Sequence, residues 1–322
     1  MSFFKLLTLA IKFLLLLSFY SHAQDNAQKP IRLIVPFPPG GVTDVLGRMI
    51  GLKLNERLGQ QVIVENKAGA SGMIGSDLVA KSSPDGLTIL LSASSHATFQ
   101  SLYAKVPFDP IKDFEPISLV ATLPYVVVVH PSIAIKSINE LIQFAQLNPQ
   151  KLSYAGSAPG QAQHLGGELF KKLSKSDITY IPYKGSSAQM PDLLSGRVPV
   201  AIDSLLIMGP HIKSGALNPI ALTSLKRSDL LPGVPTVSES GLTNFQAIGW
   251  FGLFAPIKTN PIFINKINAE VSSIMKLVEV KSLLLGQGVE PFYGSPDDLK
   301  KHVTKETELW SGLIRELGIK VE

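Results

Sequence analysis

The sequence predicts an α/β protein built on a mostly parallel sheet covered on both faces. Short aliphatic runs end in Pro, Gly or Ser turns, as at residues 31–35, 62–65 and 87–91. Stretches of helical spacing separate these runs, as at 45–58 and 72–81. The strand–helix alternation then continues to residue 223, which is the pattern of parallel strands joined by crossover helices.

Taken in order, residues 1–23 read as a secretory signal. Lys5 and Lys12 accompany an apolar run through Phe19, and Ser21-His22-Ala23 has the small-x-small form of a cleavage site. The run is short for a membrane span, which needs about 20 apolar residues. Cleavage after Ala23 and export to the periplasm are expected. Of the formal net charge of +5, two charges are Lys5 and Lys12. The remaining basic residues are scattered, without a stripe of interleaved aromatics, so no nucleic-acid partner is expected. The chain has no cysteine, which excludes disulfides, thiolate metal sites and a cysteine nucleophile. A chain of this size is held by its core instead.

The strand at 31–35 runs into Pro36-Phe37-Pro38-Pro39-Gly40-Gly41. Thr43 or Asp44 is then placed to cap a helix over 45–58. Such a joint presents free backbone N–H groups at the positive end of a helix, which suits a small anion such as a carboxylate. An ordinary strand–turn–helix joint has the same appearance. The spacing is neither G-x-G-x-x-G nor a P-loop, so a nucleotide is disfavoured. A strand at 125–130 and a helix at 138–147 with a Ser137 cap follow. A strand at 152–155 leads through Ala155-Gly156-Ser157-Ala158-Pro159-Gly160-Gln161 into a helix at 162–173, giving a second candidate cradle. Its free N–H groups are expected near Gly156, Ser157 and Gly160 to Gln163. Two further strand-end loops hold Ala70 and the pair Ser92 and Ser94. In open α/β sheets ligands sit beyond the carboxyl ends of strands, where all four loops belong.

Strands at 178–182, 198–203 and 219–223, with a helix at 188–195, complete this part. Tyr183 stands beside a turn as a candidate pocket wall or as strand-end packing. Asp203 ends a strand, where it reaches a ligand or caps the next segment. His164 points into a cleft or bonds within the fold. A late strand at 250–255 and helices at 261–277 and 296–317, the second with Pro296 in its first turn, return to the first half. Residues 119–124 and 243–249 are candidate crossings between two lobes. The partition is 24–122 plus 246–322 for one lobe and 123–245 for the other.

The six histidines, at 22, 96, 130, 164, 211 and 302, include no pair at i,i+3 or i,i+4 spacing, so no metal is expected. No cofactor is expected. Ser94, His96, His164 and Asp203 are the residue types of hydrolytic catalysis, but the G-x-S-x-G elbow is absent. A hydrolase of a small acid or ester remains the alternative reading.

Several segments together carry a family resemblance. They are Val35-Pro-Phe-Pro-Pro-Gly-Gly-Val-Thr-Asp44, Val64-Glu-Asn-Lys-Ala-Gly-Ala-Ser-Gly72, Pro84-Asp-Gly-Leu-Thr88, His164-Leu-Gly-Gly-Glu168 and Pro182-Tyr-Lys-Gly185. Asp192-Leu-Leu-Ser-Gly196, Pro232-Gly-Val-Pro-Thr236, Trp250 and Ala255-Pro256 complete the set. In this order the chain resembles the Bug-type periplasmic solute-binding receptors, the TctC-like binding proteins of tripartite tricarboxylate transporters. The resemblance implies a periplasmic-binding-protein-like (type II) fold: two Rossmann-like lobes, with one small carboxylate held between them by residues 37–43 and 155–163. Asp203 matches a position that often meets the far end of the ligand. Family ligands are dicarboxylates, amino acids or aromatic acids. The expected site is therefore Phe37, Pro38, Gly41, Thr43, Asp44, Ala70, Ser92, Ser94, Ala155, Ser157, Gly160, Gln161, His164, Tyr183 and Asp203, in a non-catalytic monomer. The ligand then passes to membrane transporter subunits, or the closed form signals to a membrane sensor. Departures from the family occur at Leu46-Gly47, where many relatives carry Ala, and at Ser186-Ser-Ala-Gln189, where Pro is frequent.

Overall fold

The computed structural model describes residues 29–320; the expected signal segment, 1–23, lies outside them. Ten strands form one mixed sheet with two halves. The first half has the order β2 (Val62–Asn66), β1 (Ile31–Val35), β3 (Thr88–Ala93), β9 (Ile248–Pro256), β4 (Phe114–Val129), with β10 (Glu290–Pro291) on the far side of β4. In the second half β4 lies between β8 (Asn218–Leu222) and β7 (Val200–Ser204), followed by β5 (Ser153–Gly156) and β6 (Thr179–Pro182).

The long strand β4 belongs to both halves. Phe114 to Pro124 pair with β9, and Tyr125 to Val129 pair with β7 and β8. The change of partner falls at Pro124, a residue that cannot donate to a ladder. The sequence predicted only its last part, 125–130. A second correction concerns direction. The pairs β1–β2, β1–β3, β5–β6 and β5–β7 are parallel, but every pairing of β4, and that of β3 with β9, is antiparallel. The sheet is thus mixed, not mostly parallel, because β9 runs against β1–β3 in the first half and β4 runs against β5–β8 in the second.

Helices cover both faces. α1 (Val42–Leu58) lies on β1 and β2 through Gly47 and Gly51. A β-carbon on Gly47 would stand 2.7 Å from Val35 Cγ2, and one on Gly51 2.9 Å from Val64 Cγ2, so the two glycines set the close approach of helix to sheet. α2 (Met73–Ala80) and the one-turn α3 (Phe99–Leu102) complete the first part. In the second half come α4 (Ile138–Leu147), α5 (Ala162–Ser174), α6 (Ser186–Leu194) and α7 (Leu205–Lys213). Ser137 caps α4 by accepting the Glu140 N–H. α7 was not predicted, since Gly209 and Pro210 break its pattern. The helix predicted over 261–277 is α8 (Pro261–Met275); α9 (Val278–Leu285), which follows it, was not predicted. α10 (Pro296–Leu317) opens with Pro296 and a capping box between Ser295 and Asp298, and ends at Gly318 in the left-handed region. It lays Leu299 and Val303 on the first half, while Trp310 joins the main core cluster. There Glu306 accepts from both indoles of the chain, Trp250 and Trp310.

One apolar cluster runs through both halves, from Ile31 and Ile50 to Val127, Tyr154 and Ile202. Two satellites close the remaining faces, one around Phe254 and Trp250 and one around Val126 and Met208. Among the described residues no helix is long and apolar enough to cross a membrane.

Candidate ligand site

Strands β1, β2 and β3 run the same way, as do β5, β6 and β7. Each set therefore gathers its strand-end loops on one edge. The two edges meet. Thr98, in the segment after β3, places its hydroxyl 3.2 Å from the carbonyl of Gly160, in the loop after β5.

The first loop leaves β1 at Val35 and enters α1 at Val42. Its cap is Gly41, with extended backbone and no side-chain cap bond. Thr43 and Asp44, predicted as caps, instead lie inside the first turn. Both are buried. Asp44 reaches back: its Oδ2 accepts from the Gly40 N–H at 2.9 Å and from Arg48 Nε at 3.0 Å. Its Oδ1 accepts from Asn66 Nδ2 at 2.9 Å, and the same amide donates to the Phe37 carbonyl at 3.1 Å. Burial pushes the Asp44 pKa up, but Arg48, the Gly40 N–H and Asn66 together hold it below the usual carboxylate range. The carboxylate thus shapes the turn. The first N–H groups of α1, at Val42, Thr43 and Asp44, have no acceptor within the helix, and Pro38, Gly40 and Gly41 are exposed beside them. Phe37 is half-buried, and a β-carbon on Gly72 would stand 3.2 Å from its Cζ.

Ala70 lies in the neighbouring loop, exposed, within a run of four residues of positive φ: Gly69 (140°), Ala70 (46°), Ser71 (56°) and Gly72 (103°). For Ala70 and Ser71 this backbone is strained. It is held by Ser95 Oγ donating to the Ser71 carbonyl at 2.9 Å and by Tyr103 donating to Ser71 Oγ at 3.2 Å. Ser92 and Ser94 are buried at the end of β3, and Ser92 Oγ has no protein partner. His96 is turned into the core: its Nε2 is 2.9 Å from the Pro110 carbonyl and its ring stacks on Phe254. Burial pulls its pKa down to about 4. Ser94 and His96 therefore do not form a nucleophile–base pair.

The second loop is held more tightly. Ala155 is a fully buried strand residue between β6 and β7. Tyr180 donates to the Ser157 carbonyl, and its ring stacks on His164 at 4.1 Å. The Gly160 N–H donates to His164 Nδ1 at 3.0 Å, which fixes the neutral ring with its proton on Nε2. Burial lowers the His164 pKa to about 4. Two of the N–H groups expected to be free are thus engaged, Gly160 with His164 and Gln161 with the Ala158 carbonyl. Those of Ala162, Gln163 and His164, at the start of α5, remain without an acceptor in the helix. Gln161 is the cap and makes no side-chain cap bond.

Behind this turn lies a buried polar network, in which Gln189 Oε1 is left without a protein partner. Ser157 Oγ donates to Gln163 Oε1 at 2.8 Å. Asp203, 1% exposed, accepts from Gln189 Nε2 and from the Ser204 N–H at 2.6 Å. Burial raises its pKa while these donors oppose the rise. Asp203 thus ties the first turn of α6, through Gln189, to the start of α7, at Ser204. Tyr183 is half-buried and donates to Asp192 at 2.7 Å. Burial, then this bond, push its pKa up to about 12.

The structure thus brings the turns around Phe37–Asp44, Ala70 and Ser92–Ser94 to one edge, and those around Ala155–His164 and Asp203 to the other. Tyr183 follows β6 on the second edge, engaged with Asp192. Sequence reasoning missed Asn66 and Gln189 as structural partners of the two aspartates. It also missed Thr98 and Leu102 at the junction. Only Asn66 carried a signal, lying in a strand-end loop already singled out. Among the described residues no cluster of three His, Asp or Glu is arranged to hold a metal ion.

Comparison with known proteins agrees with this architecture. A profile described as the tripartite tricarboxylate transporter family receptor, TctC, matches residues 46–319. The chain belongs to the TctC receptor family. Among TctC-like relatives, it is 38% identical over 302 residues to Protein BugT of Bordetella pertussis, covering 93% of each chain. Among solved structures, R. palustris Rpa4515 with adipate has a TM-score of 0.84 at 34% identity, covering 91% of this chain and 99% of that one. MatC (Rpa3494) from Rhodopseudomonas palustris, with bound malate, has a TM-score of 0.79 at 28% identity, covering 88% and 98%. The α/β periplasmic-binding-protein-like fold is therefore shared through the TctC family.

Proposed function

We propose that this chain is an exported receptor that captures a small carboxylate between two lobes, residues 24–122 with 246–322 and residues 123–245. It delivers that acid to the membrane subunits of a tripartite transporter. One observation carries the reading: α1 and α5 both start without a side-chain cap at strand ends on the two edges that meet. Each supplies uncommitted N–H groups and the positive end of a helix dipole, so a carboxylate is held without a fixed cation. The adipate and malate carried by the two relatives have the same chemistry. Asp44, Asp203 and His164 act in this reading as struts that fix the donors before the ligand arrives. Release from the membrane follows cleavage after Ala23. The protein acts as a monomer and transforms nothing.

The test is a thermal-shift screen of residues 24–322, unfolded and refolded to remove co-purified acids, against mono- and dicarboxylates including adipate and malate. An acid at 100 times its dissociation constant adds about 2.7 kcal/mol of stability. Recovery of that acid unchanged supports a receptor. Its conversion, or a panel without any shift, refutes the proposal.

A further inference from the structure

An apolar plug lies where the two edges touch. Leu102, the last residue of α3, is 3% exposed and packs on the main chain of Gly160 across the junction. A β-carbon on Gly160 would stand 1.8 Å from Leu102 Cδ1 and 3.1 Å from its Cγ, so the side chain occupies the space that only glycine leaves open. Gly160 has a φ of +81°, and its N–H is tied to His164. The seat therefore has a fixed shape. Thr98, four residues earlier and on the same side of the segment, shares its hydroxyl proton between the Ser95 carbonyl at 3.0 Å and the Gly160 carbonyl at 3.2 Å. Both groups come from the segment that follows β3, and the seat comes from the loop that leads into α5.

We propose that Leu102 is the closing latch of this receptor, with Gly160 as its seat and Thr98 as a polar guide. The inference rests on the receptor reading and adds the residues that hold the closed form. Separating the edges exposes the part of the Leu102 side chain that is seated on Gly160. Burying a leucine is worth a tenfold to hundredfold bias toward closure, roughly. The latch grips main chain at the mouth of the second cradle, so it acts on closure and leaves the ligand donors untouched. Leu102 is a positioning residue: it stabilises the conformation in which both cradles face one ligand.

The experiment uses the absence of native cysteine. Exposed Leu52 on α1 and exposed Leu147 on α4 are replaced by cysteine and dye-labelled. Single-molecule energy transfer then reads the populations of closed and open forms in refolded protein, alone and with adipate or malate. Leu102→Ala is expected to shift the closed-to-open ratio toward open by roughly tenfold to hundredfold, with Leu102→Met restoring most of it. Gly160→Ala is expected to open the protein as well. In that background Leu102→Ala should restore closure, because it removes the clash; strain at Gly160 is common to both variants and cancels. Populations that Leu102→Ala leaves within twofold, or effects of the two substitutions that simply add, overturn the proposal. If no acid shifts the parent protein, the receptor reading fails, while the ligand-free ratios still decide on the latch.

Discussion

Replacing Asp44 separates two roles that a carboxylate beside an anion site can have. Asp44 is 4% exposed and accepts three hydrogen bonds, from Gly40, Arg48 and Asn66. The Asp44→Ala change removes an ion pair whose Arg48 side is more than half exposed, worth ~0–1 kcal/mol. It also removes two bonds to a charged acceptor, worth about 1.5 kcal/mol each at the low end because the exposed Gly40 N–H returns to water. The expected loss of stability is about 3 kcal/mol, read from urea unfolding. Binding weakens for a different reason. If Gly40 and Gly41 must be re-ordered when the acid binds, at about 1 kcal/mol each, the dissociation constant rises roughly thirtyfold. Titration calorimetry with the acid found in the thermal screen measures it. Asp44→Asn keeps an acceptor toward Asn66 and is expected to fall between parent and Asp44→Ala on both scales. The reasoning is refuted if Asp44→Ala binds more tightly than the parent, since the carboxylate then faces the ligand and repels it. It is also refuted if stability and affinity are both unchanged.

Three further outcomes follow from the same geometry. Burial lowers the pKa of His96, His164 and His302 to about 4, so between about pH 6.5 and 4 the unfolded chain binds more protons than the folded one and stability falls as pH falls. The ceiling is about 2 kcal/mol per histidine at pH 5. Asp203 and Glu306, raised by burial, work in the opposite direction. Urea midpoints at pH 7.5, 6 and 5 read the balance, and a midpoint that stays level or rises on acidification contradicts it. Gly51→Val drives new methyl groups into Val64 and Val62 and should cost roughly 1–3 kcal/mol with affinity retained; an unchanged melting temperature would show that α1 is not held close to the sheet there. Asp203→Leu strands the buried Gln189 amide and the Ser204 N–H and should cost roughly 3–5 kcal/mol. Normal stability with lost binding would instead make Asp203 a direct ligand contact.

The joint of β1, turn and α1 was legible because a five-residue, mainly aliphatic strand, three prolines and two glycines are local signals. The same holds for α10, whose Ser295, Pro296 and Asp298 mark its start. Strand direction was not legible. It is decided by β4 and β9, whose partners lie far apart in sequence, and Pro116 and Pro124 hide β4 as one strand. At the site, the two turns were readable as backbone features. The roles of the acidic side chains were not, because Asp44 finds Asn66 22 positions away and Asp203, in strand β7, finds Gln189 on α6. A sequence shows that a carboxylate stands near a turn; only packing decides whether it faces inward to the fold or outward to a guest.

The passage of β4 from one half-sheet to the other has a mechanical consequence. No loose connector separates the halves at Pro124 and Tyr125; the strand stays laddered on both sides of that point. Relative rotation of the halves must therefore be taken up as torsion of a bonded ribbon. Such a ribbon stores elastic energy and pushes back, so opening has a spring constant and a preferred rest angle.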